Sequence, residues 1–180
     1  MRCAIAIYPH LPGSRALEQL RQRFDPLAGT TPCHITLLAP FDLPLSSENM
    51  VAHALQIAAT LEPFTVSTGP AFPCGNAVLV PISQGHQAIV QLRSRLCKGM
   101  LAPQRTIRPA FEPHITAGRT TTLEERRQCL AAAMRLPRLS GIIDQFSCDI
   151  IDSAGHIRST TTLLLGQHPR PARRISTPTF

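Results

Sequence analysis

Two stretches, Cys33–Phe41 (CHITLLAPF) and Phe111–Arg119 (FEPHITAGR), carry the same tripeptide His-Ile-Thr, at His34–Thr36 and at His114–Thr116. Each follows closely on a proline, Pro32 or Pro113, and each opens on strand-forming residues, so both read as β-strands. Side chains at i and i+2 of a strand share a face. His34 and Thr36 therefore emerge together while Ile35 and Leu37 turn away, and His114 and Thr116 do the same with Ile115 and Ala117 behind them. A lone strand histidine is ordinarily structural. Two copies with the same middle residue, 80 positions apart, point instead to two imidazoles and two hydroxyls converging on one small volume.

Working outward, the chain around each motif follows a similar plan. Arg2–Tyr8 reads as a short apolar strand closed by the turn-like PHLPG, and Ser14 can cap a helix running to Phe24. The first motif strand covers Cys33–Ala39 and ends at Pro40. Ser47 can cap a helix over Glu48–Leu61, and Phe64–Thr68 alternates with strand period. Asn76–Ile82 reads as another strand, Gln84–Met100 as a basic helix and Pro113–Gly118 as the second motif strand. Thr122-Leu-Glu-Glu125 is a capping box that opens a helix to Leu136, followed by strands at Ile142–Ile151 and Ile157–Leu165. After the two motifs the helices and strands recur at similar offsets, Glu48 against Leu123 and Phe64 against Ile143, as in a duplicated lobe. The fold class is α+β, one two-lobed domain over residues 1–166. Residues 167–180 (QHPRPARRISTPTF) read as a disordered, solvated tail that is basic and Pro-rich.

Composition narrows the function. The chain has 180 residues of which 43% are apolar, enough for a real core and too many for a disordered chain. No apolar run approaches the roughly 20 residues of a membrane span, and the N-terminal MRCAIAIYPHLPG is too brief for a signal peptide. The expectation is a cytoplasmic protein with no membrane partner. Eighteen Lys and Arg against eleven Asp and Glu leave a net charge of +7, which favours anionic partners such as nucleic acid or nucleotides. Lys98 is the single lysine; the other basic residues are Arg, the better bidentate phosphate binder. The six cysteines form no CxxC pair and read as free thiols in a reducing compartment.

Two histidines in one site suit phosphodiester cleavage near pH 7. A neutral imidazole takes a proton from the attacking oxygen and a protonated one gives a proton to the leaving oxygen, while the Thr hydroxyls donate to the non-bridging phosphate oxygens. The scheme calls for no metal or other cofactor, and it leaves open which of His34 and His114 is base and which acid.

HITLLAPF and FEPHITAGR resemble the paired signatures of the 2H phosphoesterase superfamily, which includes the 2′-5′ RNA ligase-like proteins and cyclic nucleotide phosphodiesterases. The resemblance spans Arg2 to Gly166. It implies two pseudo-symmetric lobes, each an antiparallel sheet flanked by helices, around a central groove lined by the motifs. It further implies metal-independent chemistry on 2′,3′-cyclic phosphates or 2′-5′ linkages, with an RNA end or a small nucleotide phosphate as substrate; a monomer is expected. His34, Thr36, His114 and Thr116 carry over as catalytic residues, and Arg119 stands where RNA ligase-like members have an Arg and is a candidate for binding the substrate phosphate. Gly118 occupies a position that is usually aliphatic, and the aromatic found near the first motif in some members falls at Phe41.

The remaining candidates are for substrate binding. Tyr8, Phe41, Phe72 and Phe111 are aromatics available to stack on a base. Arg93, Arg95, Lys98, Arg105 and Arg108 form either a basic wall for a polyanion or a solvated helix face. Cys33 adjoins His34 but belongs to the opposite face, which argues against a Cys–His nucleophile. Two other functions stay open: a non-catalytic RNA or nucleotide binder, and 2′-5′ RNA end-joining by the reverse reaction.

Overall fold

The computed structural model describes residues 1–43, 46–104 and 110–167. Along the chain run β1 (Arg2–Ile7), α1 (Arg15–Phe24), β2 (Ile35–Asp42), α2 (Ser47–Ala58), β3 (Phe64–Thr68), β4 (Phe72–Cys74) and β5 (Ala77–Gln84). They are followed by α3 (His86–Leu96), a 3-10 turn (Gly99–Leu101), β6 (His114–Arg119), α4 (Leu123–Ala133), β7 (Ser140–Ile143), β8 (Gln145–Ile151) and β9 (Ile157–Leu164). The strands lie in the order β7-β3-β5-β6-β2-β1-β8-β9, with β4 beside β5, and every described pairing is antiparallel.

This ladder has two halves. One is β2-β1-β8-β9, against which α2 and α3 pack; the other is β6-β5-β3-β7, packed by α1 and α4. The halves meet where β2 runs antiparallel to β6 in a pairing of Ile35 with Ile115. Both residues are fully buried, as are Ile5, Leu17, Ala54, Val66, Ile89, Leu92 and Phe146 of the surrounding core. The α+β class and the two-lobed plan expected from the sequence are therefore present.

The lobes are not successive halves of the chain, however. The units β1-α1-β2-α2-β3 and β5-α3-β6-α4-β8 each send their last strand to the other half, β3 pairing with β5 and β8 with β1. The single strand expected over Ile142–Ile151 is consequently two. Its first part, β7, lies along β3, so that Phe64 and Ile143, matched above as repeat equivalents, are cross-strand partners. The chain then passes Asp144 and continues as β8 beside β1. Asp144 is the one residue between the two strands, with no Gly or Pro beside it.

Two local departures have steric causes. Pro40 does not end β2. Cys3 pairs with Phe41 and Ile5 with Leu38, so Ala39 and Pro40 bulge opposite Ala4, where a missing N–H costs no ladder bond. Gly118 is glycine because helices close on it: a Cβ there would lie 2.7 Å from Cys129 Sγ and 2.8 Å from Phe24 Cβ. The capping box is present, with Thr122 Oγ1 accepting from the Glu125 N–H and the Glu125 carboxylate accepting from the Thr122 N–H. Ser14 occupies the N-cap of α1 without a side-chain capping bond, and the N-cap of α2 is Ser46 rather than Ser47. None of the six cysteines is in a disulfide. Among the described residues no helix is long and apolar enough to cross a membrane. The tail from residue 168 onward lies outside the described residues.

Candidate active site

The Ile35–Ile115 pairing determines the geometry of the site. With β2 and β6 antiparallel about that pair, His34 falls opposite Thr116 and Thr36 opposite His114, a local twofold arrangement. Exposure alternates as the strand period requires: His34, Thr36, His114 and Thr116 are half-buried, whereas Ile35, Leu37, Ile115 and Ala117 are buried beneath them.

The two imidazoles are tethered in the same way. His34 Nδ1 lies 2.8 Å from the carbonyl oxygen of Pro32, and His114 Nδ1 lies 2.6 Å from that of Glu112, each two residues upstream. A carbonyl oxygen can only accept, so Nδ1 carries the hydrogen in both rings and Nε2 is the nitrogen that exchanges a proton. Burial holds the His34 pKa below its ordinary value. The positive charges of Arg21 and Arg119 act in the same direction, while the Pro32 hydrogen bond and Asp25 oppose them.

A cleft of about 440 Å³ opens over the motif strands. Thr36, His114, Thr116 and Arg119 line its polar part, and Phe72, Leu79 and Phe111 line an apolar part. The structure thus brings together four of the five residues assigned to phosphate chemistry. The fifth, His34, is not among the lining residues; its ring sits beside Tyr8, with centroids 5.9 Å apart. Arg119 donates from Nη1 to Asp25 Oδ1 at 2.6 Å and still leaves a third of its side chain exposed.

Behind Arg119 lies a buried ionic network that the sequence did not disclose. The Asp25 side chain is completely buried and also accepts from Arg21 Nη2 at 3.2 Å and from the Leu27 N–H. Arg21, itself 1% exposed, donates further to Glu18 and to the carbonyl oxygen of Thr31 at 2.9 Å. Glu18 accepts the N–H of Cys33, next to His34. The available signal was weak. Arg21 stands four residues after the buried Leu17, on the inward stripe of α1, a position ordinarily filled by an apolar residue.

Several sequence assignments need correction. Phe41 is 6% exposed and packs in the core: the two register shifts between β1 and β2 cancel in parity, so it keeps the inward parity of Ile35 and Leu37 and has no face to offer a base. Tyr8 is half-buried. Its ring lies against His34 and its hydroxyl donates to the buried Asp149 at 2.6 Å. Burial and that carboxylate raise the Tyr8 pKa, so the phenol stays protonated. The proposed basic wall does not form among the described residues. Arg93 is buried, donating from Nε to the Leu37 carbonyl and stacking on Phe111, whereas Arg95 reaches Thr60. Arg105 and Arg108 lie outside the described residues. Burial pushes the Cys33 thiol up to about 11, which keeps it a thiol and agrees with its exclusion as a nucleophile. Phe72 and Phe111 remain as cleft aromatics. Among the described residues, no three His, Cys, Asp or Glu side chains gather as a metal site.

An antiparallel sheet in two interleaved halves, with helices packed on each, is the LigT-like architecture. Escherichia coli LigT complexed with 3′-AMP superposes with a TM-score of 0.56 at 22% identity, covering 92% of this chain and 98% of LigT. A Thermus thermophilus protein superposes with a TM-score of 0.57 at 19% identity, covering 93% of this chain and 100% of its own. Residues 9–154 match the 2′-5′ RNA ligase superfamily, and the chain belongs to that family. A Bacillus cytotoxicus protein named as a candidate phosphoesterase is 32% identical over 120 residues, 64% of this chain and 68% of the relative. A Bacillus licheniformis protein with the same kind of name is 25% identical over 150 residues, 81% of this chain and 88% of the relative.

Proposed function

We propose that the chain is a phosphoesterase that opens 2′,3′-cyclic phosphates, or cleaves 2′-5′ phosphodiesters, at RNA ends or in small nucleotides. The observation that carries this reading is the pairing of two His-x-Thr strands in opposite orientation, with both rings tethered through Nδ1. His34 is the base: its pKa is held low by burial and by Arg21 and Arg119, so it is neutral at pH 7. Its Nε2 takes a proton from water as the water oxygen bonds to phosphorus. His114 gives its Nε2 proton to the ribose oxygen that leaves as the P–O bond breaks, and one proton is thereby gained and one lost. Thr36 and Thr116 donate to the non-bridging oxygens and Arg119 offsets the charge that builds there. Phe72, Leu79 and Phe111 offer the nucleoside an apolar surface, in keeping with the 3′-AMP bound by LigT.

The test is EDTA-treated protein incubated with a short RNA ending in a 2′,3′-cyclic phosphate, alongside His34→Ala and His114→Ala. Wild type should open the ring, and each variant should lose about 10²–10⁴-fold in kcat. One observation favours a second reading, a nucleotide-binding module without turnover: the His34 ring is not among the cleft-lining residues. That reading prevails if wild type binds 3′-AMP but turns over neither cyclic phosphates nor 2′-5′ dinucleotides.

A further inference from the structure

The helices that precede the two motif strands carry a matched feature. In α1 the buried residues are Leu17 and Arg21; α3 buries Ile89 and Arg93 at the same spacing, together with Leu92 and Leu96. Each arginine reaches the residue three places before its histidine. Arg21 donates to the Thr31 carbonyl at 2.9 Å, ahead of His34, and Arg93 lies 4.7 Å from the ring centroid of Phe111, ahead of His114. Each is also tied to the motif strand that carries the other histidine. Arg21 shares Asp25 with Arg119 on β6, and Arg93 Nε donates to the Leu37 carbonyl on β2 at 3.1 Å.

We propose that Arg21 and Arg93 are paired positioning residues, each bracing the loop that enters one histidine and tying it to the strand that carries the other. This deepens the phosphoesterase reading and rests on it for its catalytic consequence. The chemistry suits arginine: a planar guanidinium with five donors makes several fixed contacts at once, which a lysine ammonium on a flexible stem does not. Burying such a cation is unfavourable unless partners surround it. Glu18 and Asp25 meet that need for Arg21, and a carbonyl and an aromatic face contribute for Arg93. An apolar residue would fill either position more simply, so the retained guanidinium is best explained by what it holds in place.

The experiment uses Arg21→Lys, Arg21→Met and Arg93→Met in the full chain, with NMR titration of the His34 and His114 ring protons and kinetics on a 2′,3′-cyclic nucleotide. The titration needs no turnover, so the bracing and the phosphoesterase reading fail separately. Arg21→Met should raise the His34 midpoint, since a nearby positive charge is lost and two carboxylates are left facing the site, and should leave the His114 signal largely in place. Arg93→Met should displace or broaden the His114 signal and spare His34. In both variants kcat should fall about 10–100-fold with KM within about threefold, the pattern expected when a catalytic group is misplaced. Arg21→Lys retains the charge but loses the arm to Thr31; it should show the same loss in kcat with a smaller midpoint change, and it serves if Arg21→Met does not fold. The proposal is overturned if either substitution affects both histidines equally or neither, or if kcat is unchanged.

Discussion

The two motif halves share a backbone plan and differ in electrostatics. Both histidines are tethered by the carbonyl two residues upstream, and both loops contact a buried arginine. Around the first motif the contacts are ionic and closed, with Glu18, Arg21, Asp25 and Arg119 in one network and Tyr8 against the ring. Around the second they are open: His114 lines the cleft, Phe111 meets Arg93, and the exposed Glu112 pairs with His86. Position for position, Arg119 corresponds to Ala39 and Gly118 to Leu38. A doubled scaffold thus supplies two similar histidines in different surroundings, and on the proposed mechanism the burial and charges around His34 are what separate base from acid.

The sharpest way to break this comparison is to exchange the roles. If His34 is the base and His114 the acid, the residual activity of His34→Gln should lose the acid limb of its pH profile and that of His114→Gln the alkaline limb, on top of the 10²–10⁴-fold loss in kcat. Identical limbs in the two variants would remove the distinction drawn here.

Next in size is the network that only the first half possesses. Asp25→Ala leaves Arg21 and Arg119 without their shared carboxylate, and breaking a buried pair in this way costs about 3–5 kcal/mol. Denaturant unfolding should register that loss, while Arg158→Ala, which removes only the exposed partner of Asp152, should register less than about 1 kcal/mol. Equal effects would mean the network adds nothing particular to the first half. Smaller again is the steric difference at the seam. Gly118→Ala places a methyl against Cys129 and Phe24, and overpacking of this kind costs about 1–3 kcal/mol. Because Phe24 adjoins Asp25, the same substitution should raise KM through Arg119; an unchanged melting temperature would show that the helices yield freely.

Strand period and the repeated tripeptide made the motif strands legible, since both signals are local. Thr122–Glu125 was legible for the same reason: a capping box is four residues long. What stayed hidden is set by pairing over distance. Nothing near Asp144 in the sequence says that the chain leaves β3 for β1, and nothing near Pro40 says that Ala4 tolerates a bulge opposite it. The burial of Phe41, by contrast, follows from the parity it shares with Ile35 and Leu37. Arg21, Asp25 and Arg93 were illegible because charged residues are expected outside, and their partners lie on other elements.

The finest test concerns pH and stability together. His34 is held below its ordinary pKa, so the folded protein binds a proton there less readily than the unfolded chain does. Above about pH 7 the ring is neutral in both states and contributes nothing to pH dependence. As pH falls below about 6.5 the unfolded chain takes up the proton first, and stability declines until the folded ring is also protonated. Unfolding free energies measured from pH 7.5 to 5 should therefore fall more steeply for wild type than for His34→Gln. The acid limb of kcat/KM should have its midpoint below 6.5, at the same pH where the stability curve levels off. A limb above 6.5 would mean that burial and the Arg21 and Arg119 charges do not outweigh the Pro32 hydrogen bond and Asp25 at His34, and the electrostatic contrast between the halves would then have to be sought elsewhere.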